Sequence, residues 1–406
     1  MMYVRKTYRM LIIVGALVLI GVLLAWILLA RLPGSMRSDA KIAADIVTAC
    51  AKEKGSSRDL CYEKSVPALM DKGLSMERAY AVTAIVQELD PTYHYCHVLA
   101  HLISAKETAK DPSKWKDIIA RVPAGMCGNG ALHGAFQERF RSTSLPNASV
   151  EEVRNLIAGA CDPREGWSPT LIERSSCMHG MGHLLVYITD ANISKSIALC
   201  EVLGKGKAPV ADFVETCEEG VFMQIYQPLE PEDIGLVAKL TSASKDRVKF
   251  CSQYPGLAFE TCIKESWPVE KEHIMTPEGF DAVCAPLKGK DGYDNCVRGL
   301  VFVVMGMKEY DAKSMLSLCS QLPDPSVRDI CVSRTAVRFV ETDWKNVPQA
   351  IAVCSDSPPS ADACWKELSG YAEQGMKPDS PQTKALCGGM PEKWRSTCLT
   401  NTHTTL

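Results

Sequence analysis

The cysteines constrain this chain more than any other feature. All 18 lie beyond residue 49, and in order they fall into sequential twos: Cys50 and Cys61, Cys96 and Cys127, Cys161 and Cys177, Cys200 and Cys217, Cys251 and Cys262, Cys284 and Cys296, Cys319 and Cys331, Cys354 and Cys364, Cys387 and Cys398. The separations are 11, 31, 16, 17, 11, 12, 12, 10 and 11 residues, alternating with longer gaps. A cytosolic enzyme has no physical need for this regularity, whereas nine local disulfides in an oxidising compartment account for it. Nearest-neighbour pairing leaves no cysteine over, although the spacing by itself does not prove the connectivity.

The same residues mark a repeat. Units starting at 251, 284, 319, 354 and 387 open "CSQYPGLAFETC", "CAPLKGKDGYDNC", "CSQLPDPSVRDIC", "CSDSPPSADAC" and "CGGMPEKWRSTC", a period of 33 to 35 residues, which is the length of one helical hairpin. Each unit reads as a cysteine, a short Pro/Gly/Asp loop, a second cysteine, an apolar helix A, a turn, and a helix B that ends at the next cysteine. Helix B starts carry capping residues: Ser380 before Pro381, Thr276 before Pro277, and Ser149 three positions before Glu152. From about residue 40 onward the expectation is therefore all-α, a right-handed α-hairpin solenoid stapled by local disulfides. This layout is similar to tetratricopeptide and Sel1-like arrays, but their signature residues are missing, so the similarity is one of architecture. A two-helix unit buries little surface alone, and closing an 11-residue loop contributes about 2–3 kcal/mol in the chain-entropy description of a disulfide.

One pair departs from the rule. The helices before Cys96 and Cys127 end without cysteine, at "VQELDPTYHYC" and "IIARVPAGMC", so both cysteines stand at or near the start of an A helix. Successive A helices of a solenoid run parallel with their starts side by side, which lets Cys96 bridge to Cys127.

Met10 to Ala30, "MLIIVGALVLIGVLLAWILLA", is an uncharged apolar run of 21 residues, long enough as a helix to span the ~30 Å hydrocarbon layer. A cleaved signal peptide has a shorter apolar region and an A-x-A-like end, so the run reads as a signal-anchor. Arg5, Lys6 and Arg9 before it against Arg31 and Arg37 after it favour a cytoplasmic N-terminus slightly, and the cysteines place the rest outside, periplasmic or extracellular, on a single-pass cell-membrane protein. The expected organisation is a cytoplasmic tail (1–9), an anchor (10–30), a linker (31–45), a His-bearing helical half (46–200), C-terminal helical repeats (201–398) and a tail (399–406). A net charge of −3 argues against a nucleic-acid partner.

Six of the eight histidines fall on three consecutive A helices: His94, His97 and His101 in "YHYCHVLAHLI", His133 in "CGNGALHGAF", and His179 and His183 in "CMHGMGHLLVY". Spacings of three and four residues put the members of each group on one helix face. Gly130, Gly180, Gly220 and Gly299 each come three residues after the second cysteine of their unit, where a helix-interior glycine costs about 1 kcal/mol relative to alanine; close helix approach is the expected compensation. At the sixth position after that cysteine, successive helices read His133, His183 and Met223; at the second they read Asn129, His179 and Glu219.

Two i, i+4 histidine pairs with His133 between them suit a first-row transition metal, because neutral imidazole is the commonest protein ligand for Zn, Cu and Fe. The expected ligands are His97, His101, His133, His179 and His183, with His94, Asn129, Glu219 and Met223 as outer partners or additional ligands. Disulfide sulfur cannot act as a thiolate ligand, and there is neither C-x-x-C-H for covalent haem nor H-E-x-x-H for a zincin. The competing reading makes these histidines hydrogen-bonding groups of a tight helix interface. Three functions stay open at this level: a membrane-tethered extracytoplasmic metalloprotein that is an enzyme, a solenoid scaffold whose concave face grips a protein or peptide, and a metal carrier or sensor. No residue is assigned a catalytic role.

Overall fold

The computed structural model describes residues 38–93, 96–123, 127, 130–140, 143–206, 212–228 and 231–406. The expected tail, the apolar run 10–30 and most of the linker lie outside the described residues, as do His94 and Asn129. Among the described residues all regular structure is helical, and no helix is long and apolar enough to cross a membrane.

The chain forms two compact units, one up to Tyr93 and one from His94 to Leu406. In the first, α1 (Asp39–Cys50), α2 (Ser56–Met70) and α3 (Met76–Leu89) pack pairwise. Ser38 and Ser75 cap α1 and α3 by accepting from the backbone amides of Lys41 and Arg78. The Cys50–Cys61 disulfide ties the end of α1 into α2.

The second unit begins with α4 (His97–Lys110), α5 (Trp115–Arg121), α6 (Gly130–Phe140), α7 (Val150–Ile157), α8 (Leu171–Ile188), α9 (Ile193–Gly204) and α10 (Val214–Tyr226). It continues through α11 (Pro231–Ala243), α12 (Arg247–Cys251), α13 (Leu257–Glu265), α14 (Pro277–Cys284), α15 (Tyr293–Met307) and α16 (Ala312–Gln321). Its last helices are α17 (Pro325–Thr342), α18 (Val347–Ser355), α19 (Ala361–Gly375), α20 (Pro381–Gly389) and α21 (Glu392–Asn401). The expected caps are in place: Ser149 and Glu152 form a reciprocal capping box on α7, while Thr276 and Ser380 cap α14 and α20, whose first positions are proline.

Packing separates these helices into two rows. Along one row α4, α6, α8, α10, α13, α15, α17, α19 and α21 each touch the next; behind it α7 packs on α9, and α14, α16, α18 and α20 follow one another. The first row also turns back on itself, because α19 packs against α8. Gly375 makes that return contact close: a Cβ there would stand 2.6 Å from Ile172 Cδ1. Polar bonds skip over intervening helices, with Asn295 on α15 donating to both Glu215 oxygens on α10 at 2.9 and 3.1 Å, and Arg298 on α15 paired with Glu367 on α19. The helices from α8 to α19 thereby surround a cleft of about 950 Å³.

All nine disulfides join the sequential twos, with Cα–Cα distances from 4.9 to 5.8 Å, and no cysteine is free. In the later units the first cysteine closes a back-row helix and the second sits early in the next front-row helix, as in Cys319 of α16 and Cys331 of α17. Cys96 and Cys127 instead join the starts of α4 and α6. The staples form part of the apolar core: every cysteine except Cys61 is buried.

Candidate functional site

The five expected imidazoles that are described converge. Glycine explains how. A Cβ on Gly130 would lie 2.3 Å from the His97 carbonyl oxygen, and one on Gly134 2.0 Å from that of His101, so α6 meets α4 backbone to backbone at the two α4 histidines. Between α8 and α10 the same device is reciprocal: Gly220 abuts the His179 carbonyl and Gly182 that of Cys217, each with a hypothetical Cβ at 2.0 Å. Gly180 receives the His133 ring itself, whose Cδ2 would stand 2.4 Å from a Cβ. Gly299 is different, since its neighbour is the flexible Lys264 side chain.

With helices this close, the rings meet at their centres. His133 is 5.0 Å from His97 and 6.0 Å from His101, which are 6.4 Å from each other; it is also 5.7 Å from His179 and 5.4 Å from His183, which are 5.0 Å apart. The cluster is thus two triangles sharing His133. Burial, followed by mutual repulsion among imidazoles if charged, holds His133 and His183 well below the ordinary histidine pKa, so both are neutral. His133 Nε2 is buried without a hydrogen-bond partner.

Around His183 the tautomer is set by chemistry. Its Nδ1 lies 2.6 Å from Gln224 Oε1; a carbonyl oxygen only accepts, so Nδ1 carries the proton and Nε2 the lone pair. That lone pair faces His179 Nε2 at 3.2 Å, and Met223 Sδ lies 3.3 Å from the same His179 nitrogen. On the far side of the His179 ring, Nδ1 is 3.9 Å from Glu219 Oε2. His183 Nε2 is therefore backed by a hydrogen-bonded oxygen acceptor across its ring, the arrangement that orients metal-binding histidines, while His179 has a carboxylate at longer range. Two nitrogens 3.2 Å apart, each ~2.0–2.1 Å from a shared ion, would subtend about 100° there. Among the described residues no three His, Cys, Asp or Glu side chains surround one point at coordination distance; Met223, the third donor of this group, is a thioether.

Glu219 is also clamped from the cleft side. Burial alone would raise its carboxyl, but Lys264, which donates to it, overrides this and holds it well below the usual carboxylate range. The reciprocal effect keeps the half-buried Lys264 ammonium above its ordinary value. Next to it, burial pushes Glu265 up, and Gln227 donates to that carboxylate at 3.2 Å.

Gln224, Lys264, Glu265 and Asp233 are the site residues that the histidine rows did not flag. Lys264 was within reach: it occupies the second position after Cys262, the same row as His179 and Glu219, and that row continues as Arg298, Ser333 and Lys366 along the cleft wall. Asp233 had no such signal. It comes from α11, outside the cysteine register, and is 4 % exposed on the wall of a small cavity shared with His97, His101, His133 and His183.

No known protein family, curated protein or solved structure matches this chain. The functional reading therefore rests on the chemistry of the cluster. It consists of five imidazoles, a thioether and a carboxylate at the end of a cleft whose lining includes His97, His133 and His179.

Proposed function

We propose that the chain is a membrane-anchored, extracytoplasmic metalloprotein: residues 10–30 are the anchor, the two rows of helices are a right-handed solenoid, and the histidine cluster binds a first-row transition metal, Zn, Cu or Fe. The observation that carries this reading is the convergence of His97, His101, His133, His179 and His183 from three helices, brought together by glycines at the points of backbone contact. A cluster of imidazoles with a buried, unbonded nitrogen at its centre, that of His133, is costly unless something electrophilic satisfies it. His179, His183 and Met223 form the leading ligand group, and the thioether favours copper in its reduced, softer state. Glu219 and Gln224 orient the two imidazoles.

The cleft gives an ion at this position something to act on or hand over to. A space of about 950 Å³ that reaches His179 matches a small-molecule site in size and supports a metalloenzyme over a closed store. If the cluster binds no metal, the same cleft makes a scaffold for a protein or peptide the leading reading.

The test is metal binding by protein purified without chelator and titrated with Zn, Cu and Fe. Replacing His179 and His183 together by alanine is expected to abolish the tightest-bound ion while helicity and the disulfides persist. Wild type that binds none of the three tightly, or a double variant that binds as well as wild type, would overturn the proposal.

A further inference from the structure

The charges that line the cleft do not balance. Six carboxylates stand there against four cations, and three of the cations are already engaged: Lys264 with Glu219, Arg298 with Glu367 and Arg334 with Glu341. Among the described residues Glu215 and Glu265 have no ion pair. Only side-chain amides donate to them, Asn295 to Glu215 at 2.9 and 3.1 Å and Gln227 to Glu265 at 3.2 Å. The imbalance is concentrated at the histidine end. Glu215 and Glu219 are four residues apart on one face of α10, and Glu265 closes α13 beside Lys264, so three carboxylates act on a single ammonium. An amide dipole does not cancel a charge, and burial accordingly raises the pKa of both Glu215 and Glu265. A second observation is independent of these carboxylates: His133, 7 % exposed, belongs to the same lining, and its Nε2 has no hydrogen-bond partner. The lining also carries the apolar side chains of Phe302, Val303 and Ile330, and Asp329, a further carboxylate without an ion pair among the described residues.

We propose that the cleft binds a small aliphatic diamine or polyamine, with one ammonium seated among Glu215, Glu219 and Glu265 and the methylenes against Phe302, Val303 and Ile330. The chemistry selects this class. An ammonium supplies the positive charge that the amide donors lack, together with N–H groups for the spare carboxylate oxygens and for His133 Nε2. An inorganic cation supplies no N–H, and an anion meets a wall of net negative charge. Six carboxylates against four cations leave two negative charges, which a dication neutralises. The inference goes beyond the metal reading, because it concerns the ligand of the cleft and holds whether or not His179, His183 and Met223 carry an ion.

The experiment is isothermal titration of the purified full chain with putrescine, cadaverine and spermidine, using 1,4-butanediol and succinate as the neutral and anionic matches. Saturable binding of at least one amine is expected, weakening with added salt, and none of the diol or the diacid. Glu215→Gln and Glu265→Gln, which keep the shape of the side chain, should each weaken amine binding about tenfold or more. Lys264→Met removes the competing ammonium and should tighten it. Glu218→Gln is the control, since Glu218 is buried on α10 beside Thr261 and outside the cleft lining; it should leave the affinity unchanged. Circular dichroism verifies that each variant is folded. Equal affinity for amine and diol, or amine binding that persists unchanged in both cleft variants, would overturn the assignment. Replacing His179 and His183 together by alanine separates the two readings: amine binding should survive the loss of metal. Metal held by a chain that takes no amine refutes only the present proposal, and amine held by a chain that takes no metal refutes only the metalloprotein reading.

Discussion

Gly220 offers the sharpest test of how the histidines are held. Replacing it by alanine would place a Cβ 2.0 Å from the His179 carbonyl oxygen, 2.9 Å from its carbonyl carbon and 3.1 Å from Gly182 Cα. The obstructing atoms are backbone, so no rotamer change relieves the contact, and α8 must move away from α10 by about an ångström to restore an ordinary separation. Overpacking of this kind costs typically 1–3 kcal/mol. The upper end applies here because two helices must shift, and the better helix propensity of alanine returns about 1 kcal/mol. A net loss near 2 kcal/mol is expected, as His179 leaves Met223 and Glu219. The matched control is Gly370→Ala, inside α19, where an added Cβ meets nothing within 4 Å; it should gain about 0.5–1 kcal/mol from propensity alone. Urea unfolding followed by far-ultraviolet circular dichroism, disulfides intact, measures both midpoints. If Gly220→Ala matches or exceeds wild type as Gly370→Ala does, the close approach of α8 and α10 is wrong.

Two further outcomes are expected. Glu218 is 1 % exposed on α10, and burial raises its pKa from the ordinary 4.5 to about 7 despite the Thr261 hydroxyl donating to it at 3.3 Å; the folded state keeps this proton longer than the unfolded one, so its contribution is full below about pH 4.5, declines as pH rises to about 7, and is flat above. At about 1.4 kcal/mol per pH unit the ceiling is about 3 kcal/mol, and Glu218→Gln should flatten stability across that window relative to wild type; parallel curves would refute the assignment. Replacing Cys96 and Cys127 by serine opens a 31-residue loop against 11 residues for Cys387 and Cys398, so the chain-entropy description gives losses of about 3.7 and 2.8 kcal/mol respectively; a larger loss for the C-terminal pair would show that native-state packing, not loop closure, dominates.

The helical class and the staples were legible because both are local. A cysteine pair every 33 to 35 residues from Cys251 onward, flanked by Pro/Gly/Asp turns and capping residues, states the hairpin period directly, and even the exceptional Cys96–Cys127 bridge follows from which helices end without cysteine. The histidine convergence was legible for the same reason, since residues at one offset from successive cysteines fall in one row. What was hidden depends on curvature. Nothing in the register says that α19 comes back to α8, so the enclosure of the cleft and the Arg298–Glu367 and Asn295–Glu215 bonds across it could not be read from the repeat. Met223 was expected beside His183, yet its sulfur approaches His179 from the neighbouring row, because a 13-residue α10 crossing α8 at the Gly182–Gly220 contact offsets the rows. Asp233 stayed invisible because α11 carries no cysteine to index it.

The disulfides and the histidines solve one physical problem between them. A buried imidazole cluster contributes nothing to the core until it is satisfied, and the glycines that bring its helices together remove apolar contact area at the same place. Helices α4, α6, α8 and α10 therefore lack at their closest crossings the side chains that ordinarily hold a helix pair together. Cys96–Cys127 fixes α4 to α6 just before Gly130, and Cys161–Cys177 and Cys200–Cys217 anchor α8 and α10 three residues before Gly180 and Gly220. Cys96–Cys127 ties α4 to α6 directly beside the Gly130 crossing, whereas Cys161–Cys177 and Cys200–Cys217 hold α8 and α10 to the segments behind them, one turn before Gly180 and Gly220. In these units cysteine precedes glycine by three, so each staple lies within a turn of a glycine that admits a neighbouring backbone or imidazole ring.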